Sequence, residues 1–353
     1  MMNHAPHHRE EDVRSFMHAL VRRVWLAAAL ALVPLHAVAA DAFYKGKSVT
    51  FIIGSAAGGG YDTYSRLFAS HIGRHLDGQP QVVPQNMPGA GSIRAANYLY
   101  NAARKDGTVI GMLDEAIALN QILGTPELKA EAAKFNWIGR ILPNSAILFA
   151  RRDAQIQKID DVFNKELIVS TSGTASKLNW TVLRKTLGMK FTLISGYPGT
   201  NESLLAMTRG EVDALSMPWS ILRVRGAQMI RDGDIKLLLQ TGSDKEADLQ
   251  RIPRMIDLAR NDDERRLLEL FSSPSLIGRS IVAPPGLSPE RVGELRRAFT
   301  ATMQDPSFLA DLKRAGLEIN PMPGELLQTA VAKAGQFSSA LIERARRAAD
   351  MTN

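Results

Sequence analysis

The 353-residue chain contains no cysteine. That absence excludes a disulfide framework, a Cys-ligated zinc or iron–sulfur centre and a thiol nucleophile. It also excludes a lipid carried on a processed amino-terminal cysteine. Histidine is scarce where it would matter. Of the seven, His4, His7, His8, His18 and His36 fall in the first forty residues, and only His71 and His75 follow. Aromatic residues make up 6%. There is no internal repeat and no low-complexity linker. The apolar run Val24–Val33 is ended by Pro34, and it is about half the ~20 residues a bilayer-crossing helix needs. What is present is ordinary globular material, 45% apolar and 22% charged. A chain of this length is expected to form two domains.

The amino terminus reads as an export signal over residues 1–40. Arg22 and Arg23 precede the short apolar run, and Ala37-Val38-Ala39-Ala40 supplies small residues for cleavage before Asp41. The expected location is therefore periplasmic, soluble and without a lipid anchor. Removing residues 1–40 leaves 39 of the 43 basic and 33 of the 36 acidic residues, a net charge of +6. This mild excess favours anionic ligands. The basic clusters Arg151-Arg152 and Arg344–Arg347 are short and lack interleaved aromatics, so no nucleic-acid partner is expected.

Strand-like runs alternate with helical patterns. Val49–Ile53, Gln81–Val83, Val109–Leu113, Leu167–Ser170, Phe191–Ile194, Val212–Leu215 and Ile235–Leu239 read as strands. Helical stretches fall at 62–76, 92–104, 174–187, 201–208 and 219–231. The alternation predicts an α/β protein with mainly parallel sheets. Ser288-Pro289 opens a helix-rich tail, with Ser as N-cap and Pro in the first turn. Breaks are expected near Asp305-Pro306 and Pro321–Gly324.

Four glycine- or hydroxyl-rich loops stand between strands and helices. Gly54–Asp62 has small residues that let a ligand approach the backbone, and the N–H groups of a helix start favour an anion. It lacks the G-x-G-x-x-G spacing of a dinucleotide fingerprint, the Lys of a phosphate loop and the G-x-S-x-G of a nucleophile elbow. Pro88–Ser92, Ser170–Ser176 and Gly196–Thr200 are the others. Each can be a ligand cradle or a plain capped turn. Together they lie where open α/β sheets bind ligands, at the carboxyl ends of strands.

The order of these motifs resembles the Bug/TctC family, the extracytoplasmic solute receptors of tripartite tricarboxylate transporters. The likeness runs from about Tyr44 to Val331. It rests on Ala57-Gly58-Gly59 with Asp62, Asn86–Gly91, Asp106-Gly107-Thr108, Thr171–Ser176, Tyr197-Pro198-Gly199 continuing to Val212-Asp213, and Ala283–Pro289. The resemblance implies a two-domain periplasmic-binding-protein fold of the Venus-flytrap type, with a hinge. Domain 1 would comprise 42–148 and 259–353, and domain 2 would comprise 149–258. It implies a small carboxylate held between them by Ala57, Gly58, Gly59, Asp62, Ser172, Thr174, Ser176, Tyr197 and Gly199. It also implies delivery to the membrane subunits of a tripartite transporter. Ser55 and Ala56, Tyr61 and Ser216–Trp219 depart from the family pattern, so they are expected to shape ligand choice.

The resemblance further implies a receptor that is not an enzyme, binds no metal or cofactor and works as a monomer. Two other readings stay open: a receptor that signals to a sensor kinase, and an exported hydrolase. The hydrolase has little to draw on. His71 and His75 sit at i and i+4, but the interval His-Ile-Gly-Arg-His lacks the Glu of H-E-x-x-H.

Overall fold

A run of β-branched and aromatic residues forms the first strand, β1 (Ser48–Ile53), buried along nearly its whole length. The computed structural model describes residues 42–171, 174–197, 199–334 and 337–351. The expected export signal, Ser172, Gly173 and Pro198 lie outside the described residues. Tyr44–Asn353 is a single compact unit that carries two sheets.

In chain order the strands are β1, β2 (Gln81–Asn86), β3 (Val109–Met112), β4 (Asn136–Leu142), β5 (Ala146–Arg151), β6 (Leu167–Thr171), β7 (Phe191–Ser195), β8 (Ala214–Pro218), β9 (Ile235–Gln240), β10 (Arg279–Ala283) and β11 (Met322–Pro323). The helices are α1 (Gly60–Ile72), α2 (Ile93–Asn101), α3 (Ile117–Ile122), α4 (Thr174–Leu187), α5 (Thr200–Thr208), α6 (Trp219–Arg225), α7 (Ala227–Arg231), α8 (Asp262–Ser272), α9 (Pro274–Ile277), α10 (Pro289–Gln304), α11 (Pro306–Arg314), α12 (Gly324–Ala334) and α13 (Ser339–Ala348).

One sheet runs in the order β11-β4-β10-β3-β1-β2, the other β7-β6-β8-β5-β9. The α/β expectation holds, but the sheets are mixed rather than mainly parallel. β1 is parallel to β2 and β3, and β6 is parallel to β7 and β8. β10 is antiparallel to β3 and β4, and β5 is antiparallel to β8 and β9. The reason is the crossing of the chain between sheets. β5 and β10 are each the first strand after a crossing, so they enter their sheet from the end that β3 and β4, or β8 and β9, leave. They therefore run backwards. The short β11 is also antiparallel to β4.

β2 extends beyond the expected Val83 through Pro84 to Asn86. Among the described residues it is an edge strand, paired with β1 alone, and an edge tolerates a residue without an N–H. The helical stretch at 219–231 is split at Gly226 into α6 and α7.

Each sheet has its own core. Beneath α1, α10 and α11 the rings of Phe51, Phe299 and Phe308 all touch Phe68, with centroids 5.8–6.5 Å away. On the second sheet Leu148, Val169, Trp180, Leu183 and Leu238 pack with Leu267, Leu268 and Phe271 of α8 and Ala345 of α13. The crossings lie side by side. Asn144 N–H donates to the Ser275 carbonyl and Thr241 N–H to the Ala146 carbonyl, each at 2.9 Å.

Candidate functional site

A cavity of about 280 Å³ lies between the two sheets. The first glycine loop supplies Ser55–Tyr61, and the segment after β3 supplies Asp114 and Glu115. Ala175, Ser176 and Asn179 come from α4, Gly199–Glu202 from the start of α5, and Ser216–Pro218 from β8. Asn144 comes from the crossing after β4, Thr241 from the residue after β9 and Arg279 from the first position of β10. Three helices, α1, α4 and α5, therefore begin at this cavity. The N-caps of α1 and α5 are Gly59 and Gly199, and neither helix start has a side-chain cap. First-turn N–H groups are thus left for a ligand, and the helix dipoles favour a negative one.

The predicted residues separate into groups. Ala57, Gly58, Gly59, Ser176 and Gly199 line the cavity. Asp62 does not line it; it braces the loop from behind. Its Oδ2 accepts the Gly58 N–H, and its Oδ1 accepts from Arg66 Nε and Asn86 Nδ2, each at 2.9 Å. The Gly58 amide is thereby committed to Asp62. Gly58 sits at φ +84°, a left-handed conformation that glycine adopts without strain. Burial pushes the Asp62 carboxyl up, but hydrogen bonds from Arg66, Gly58 and Asn86 outweigh this and hold it below the ordinary value.

Asn86 also donates to the Ser55 carbonyl at 3.0 Å. The Asn of the second glycine motif is therefore a strut for the first, a role that strand and loop patterns do not reveal. Thr174 is half-buried and outside the lining, against the second glycine loop. A Cβ on Gly91, in the second glycine loop, would fall 1.9 Å from Thr174 Oγ1. Tyr197 is half-buried and outside the lining. Ser176 Oγ lies 3.0 Å from Ser216 Oγ and accepts from Trp180 Nε1 at 3.1 Å, so its orientation is set.

The positions that depart from the family pattern do face the cavity: Ser55, Ala56, Tyr61, Ser216, Met217 and Pro218. Trp219 does not line it and is packed in the interior, 8% exposed. Tyr61 OH donates to Glu115 Oε2 at 3.2 Å. Burial pushes the Glu115 carboxyl up to about 8, reinforced by the neighbouring Asp114 and opposed by Asn144, Arg279 and Tyr61. Burial raises Asp114 to about 6, against the Ala116 N–H.

The residue that sequence reasoning missed is Arg279. It opens β10, a strand that the reading of alternating patterns did not register, and it is 0% exposed. Among the described residues its Nε, Nη1 and Nη2 have no hydrogen-bond partner. Its guanidinium carbon lies 4.6 Å from the Tyr64 ring centroid and 5.5 Å from that of Tyr61. A Cβ on Gly60 would stand 2.9 Å from Nη2, so the chain passes close enough to shape the space around it.

Two other features are already satisfied by their surroundings. His71 Nε2 is 2.9 Å from Asp311 Oδ2, and His75 Nε2 is 3.0 Å from Asp305 Oδ2. A wider depression of about 600 Å³ runs between α6 and the end of α11. Its Arg223 and Glu318 already pair with each other, so it offers no comparable unmatched charge. Among the described residues no helix is long and apolar enough to cross a membrane.

Two sheet-bearing lobes around a cavity edged by helix N-termini define a two-lobed α/β solute-binding protein. Comparison with solved structures gives the same fold. The periplasmic binding protein BugD matches with a TM-score of 0.64 at 22% identity, covering 85% of this chain and 97% of that one. MatC from Rhodopseudomonas palustris, solved with bound malate, matches with a TM-score of 0.60 at 20% identity, covering 86% and 98%. The family model described as the tripartite tricarboxylate transporter family receptor matches residues 65–345, and the chain belongs to that family. A curated relative is the UPF0065 protein in the TAR-I ttuE-ttuC' intergenic region of Agrobacterium vitis. It is 30% identical over 191 residues, 52% of this chain and 54% of that protein. The chain thus spans about half the length of the curated relative it matches. The family and the fold are those of solute-binding receptors.

Proposed function

We propose that the chain is a periplasmic receptor that captures a small carboxylate between its lobes and delivers it to membrane subunits of a tripartite transporter. The observation that carries this is the convergence of three helix starts, α1, α4 and α5, from both sheets on one cavity of about 280 Å³. That volume is just below the ~300–1,000 Å³ typical of small-molecule sites, which suits a small ligand. A carboxylate answers both the oriented N–H groups and the dipoles.

In this reading Ala57, Gly59, Ser176 and Gly199 contact the carboxylate, with Ser172, two residues ahead of α4 in the sequence. Gly58 and Asp62 hold the first loop in shape, and Thr174 meets the second loop. The lobes divide at Pro143–Ser145 and at Ser273–Gly278, with α13 also counted in the second lobe because it shares that core. Residues 1–40 direct export. The receptor is a monomer, carries no cofactor and performs no turnover. The malate bound by MatC supports the ligand class, and the family supports the transporter.

Calorimetry with di-, tri- and aromatic carboxylates tests this. The expected result is saturable one-to-one binding of at least one of them, with the ligand recovered unchanged. A panel that gives no heat and no thermal stabilisation removes the carboxylate reading, and consumption of the ligand removes the receptor reading.

A further inference from the structure

We propose that Arg279 is a second anion anchor in this cavity, which pairs with a negative group remote from the carboxylate at the helix starts and makes the receptor select doubly charged ligands. This rests on the reading of the cavity as a carboxylate site and names the residue that sets its charge specificity. Taking a guanidinium out of water is strongly unfavourable unless a partner compensates. Arg279 is wholly buried and lines the cavity. Among the described residues it has no ion pair, and none of its three guanidinium nitrogens is hydrogen-bonded.

The tyrosine rings supply part of the compensation. Stacking engages the face of the guanidinium, so the in-plane N–H donors remain available to a carboxylate in fork geometry. Among the described residues the acids nearby make no hydrogen bond or ion pair with it. Glu115 is engaged by Tyr61, and burial keeps its carboxyl protonated at neutral pH. Asp114 accepts the Ala116 N–H at 2.9 Å. A rigid, desolvated cation held by two tyrosines and, among the described residues, without a hydrogen-bond partner is what a ligand anion would complete.

The test uses the full exported chain, R279M, R279K and matched acids of equal carbon number: succinate with butyrate, and adipate with hexanoate. The wild type is expected to bind the better dicarboxylate at least about tenfold more tightly than its monocarboxylate, equivalent to about 1.4 kcal/mol. R279M should lose that preference while its monocarboxylate affinity changes little, and R279K should keep part of it. Free of ligand, R279M should unfold at the same or a higher temperature than the wild type, because it removes an uncompensated buried charge. A structural arginine would behave in the opposite way.

The proposal is overturned if R279M keeps the preference, loses both acids equally or unfolds earlier. It is also overturned if the wild type binds both acids alike, which leaves the carboxylate receptor standing. Failure of every acid to bind the wild type rejects that underlying reading together with Arg279.

Discussion

Replacing Asp62 with alanine tests whether the first glycine loop is held by its own helix rather than by the ligand. Asp62 is 5% exposed and its carboxylate accepts three hydrogen bonds. Those from Gly58 and Asn86 are charge-assisted, and removing such a bond costs about 1.5–3 kcal/mol. Gly58 is exposed, so water recovers part of its loss and the low end applies there. The Arg66 side chain is 46% exposed, which limits that i,i+4 pair to about 0.3–0.5 kcal/mol. The helix dipole adds about 0.3–1 kcal/mol. Because these contributions overlap, D62A should lose about 2–4 kcal/mol at pH 7.

The sign with pH follows from the direction of the shift. The folded carboxyl titrates below the ordinary aspartate value. Its contribution is therefore complete above about pH 4 and lost as the pH falls through the folded value. Urea denaturation of D62A and the wild type at pH 7 should differ by the full amount, and the gap should close progressively below about pH 4. Ligand affinity should fall in parallel, since Gly58 loses the partner that holds it at φ +84°. Equal urea midpoints at pH 7, or a gap that does not change with pH, would falsify the brace.

Three further outcomes follow from the same structure. Glu115 is raised to about 8, chiefly by burial. The wild type should therefore lose stability as the pH rises from about 4.3, where the unfolded glutamate ionises, to about 8. E115Q should remove the Glu115 part of that slope, leaving what Asp114, raised to about 6, contributes below that pH, and should become relatively more stable between pH 5 and pH 9. Parallel melting curves for the two proteins across this range would refute it. Gly91 has φ +58°, and a Cβ there would fall 1.9 Å from Thr174 Oγ1. G91A should therefore lose about 1–2 kcal/mol to backbone strain and weaken ligand binding. T174A in the same chain should recover affinity but not the strain, and no recovery would mean that the clash with Thr174 is not what weakens binding. Phe68 is wholly buried and touches three other phenylalanines. F68A should cost about 3–5 kcal/mol in denaturant unfolding, and a loss under 1 kcal/mol would contradict the tight packing assigned to this core.

Much of the architecture was legible in local chemistry. The period of apolar residues marked α4, β6 and β7 close to their observed limits. Ser288, which accepts the Arg291 N–H at 3.3 Å, and Pro289 marked the start of α10. The glycine loops marked where helices begin, because small residues and positive φ leave a local signature. The loop residues Ala57, Gly58, Gly59, Ser176 and Gly199 do meet at one cavity. Asp62 was legible as a residue but not in its role, since accepting the Gly58 N–H depends on how the loop folds back over its own helix.

What the residues in order were able to specify was therefore local: strands, helix starts, and the chemistries that a chain without cysteine cannot perform. The remainder came from assembly. β5 and β10 run backwards because the chain crosses between lobes, a fact of connectivity that no strand encodes. Asn86 becomes a strut because an edge strand ends beside Asp62. Arg279 becomes a buried cation because β10 is inserted between β3 and β4, which carries it beneath Tyr61 and Tyr64. Burial and partnership are properties of assembled elements, and the charge character of the cavity was invisible until they were assembled.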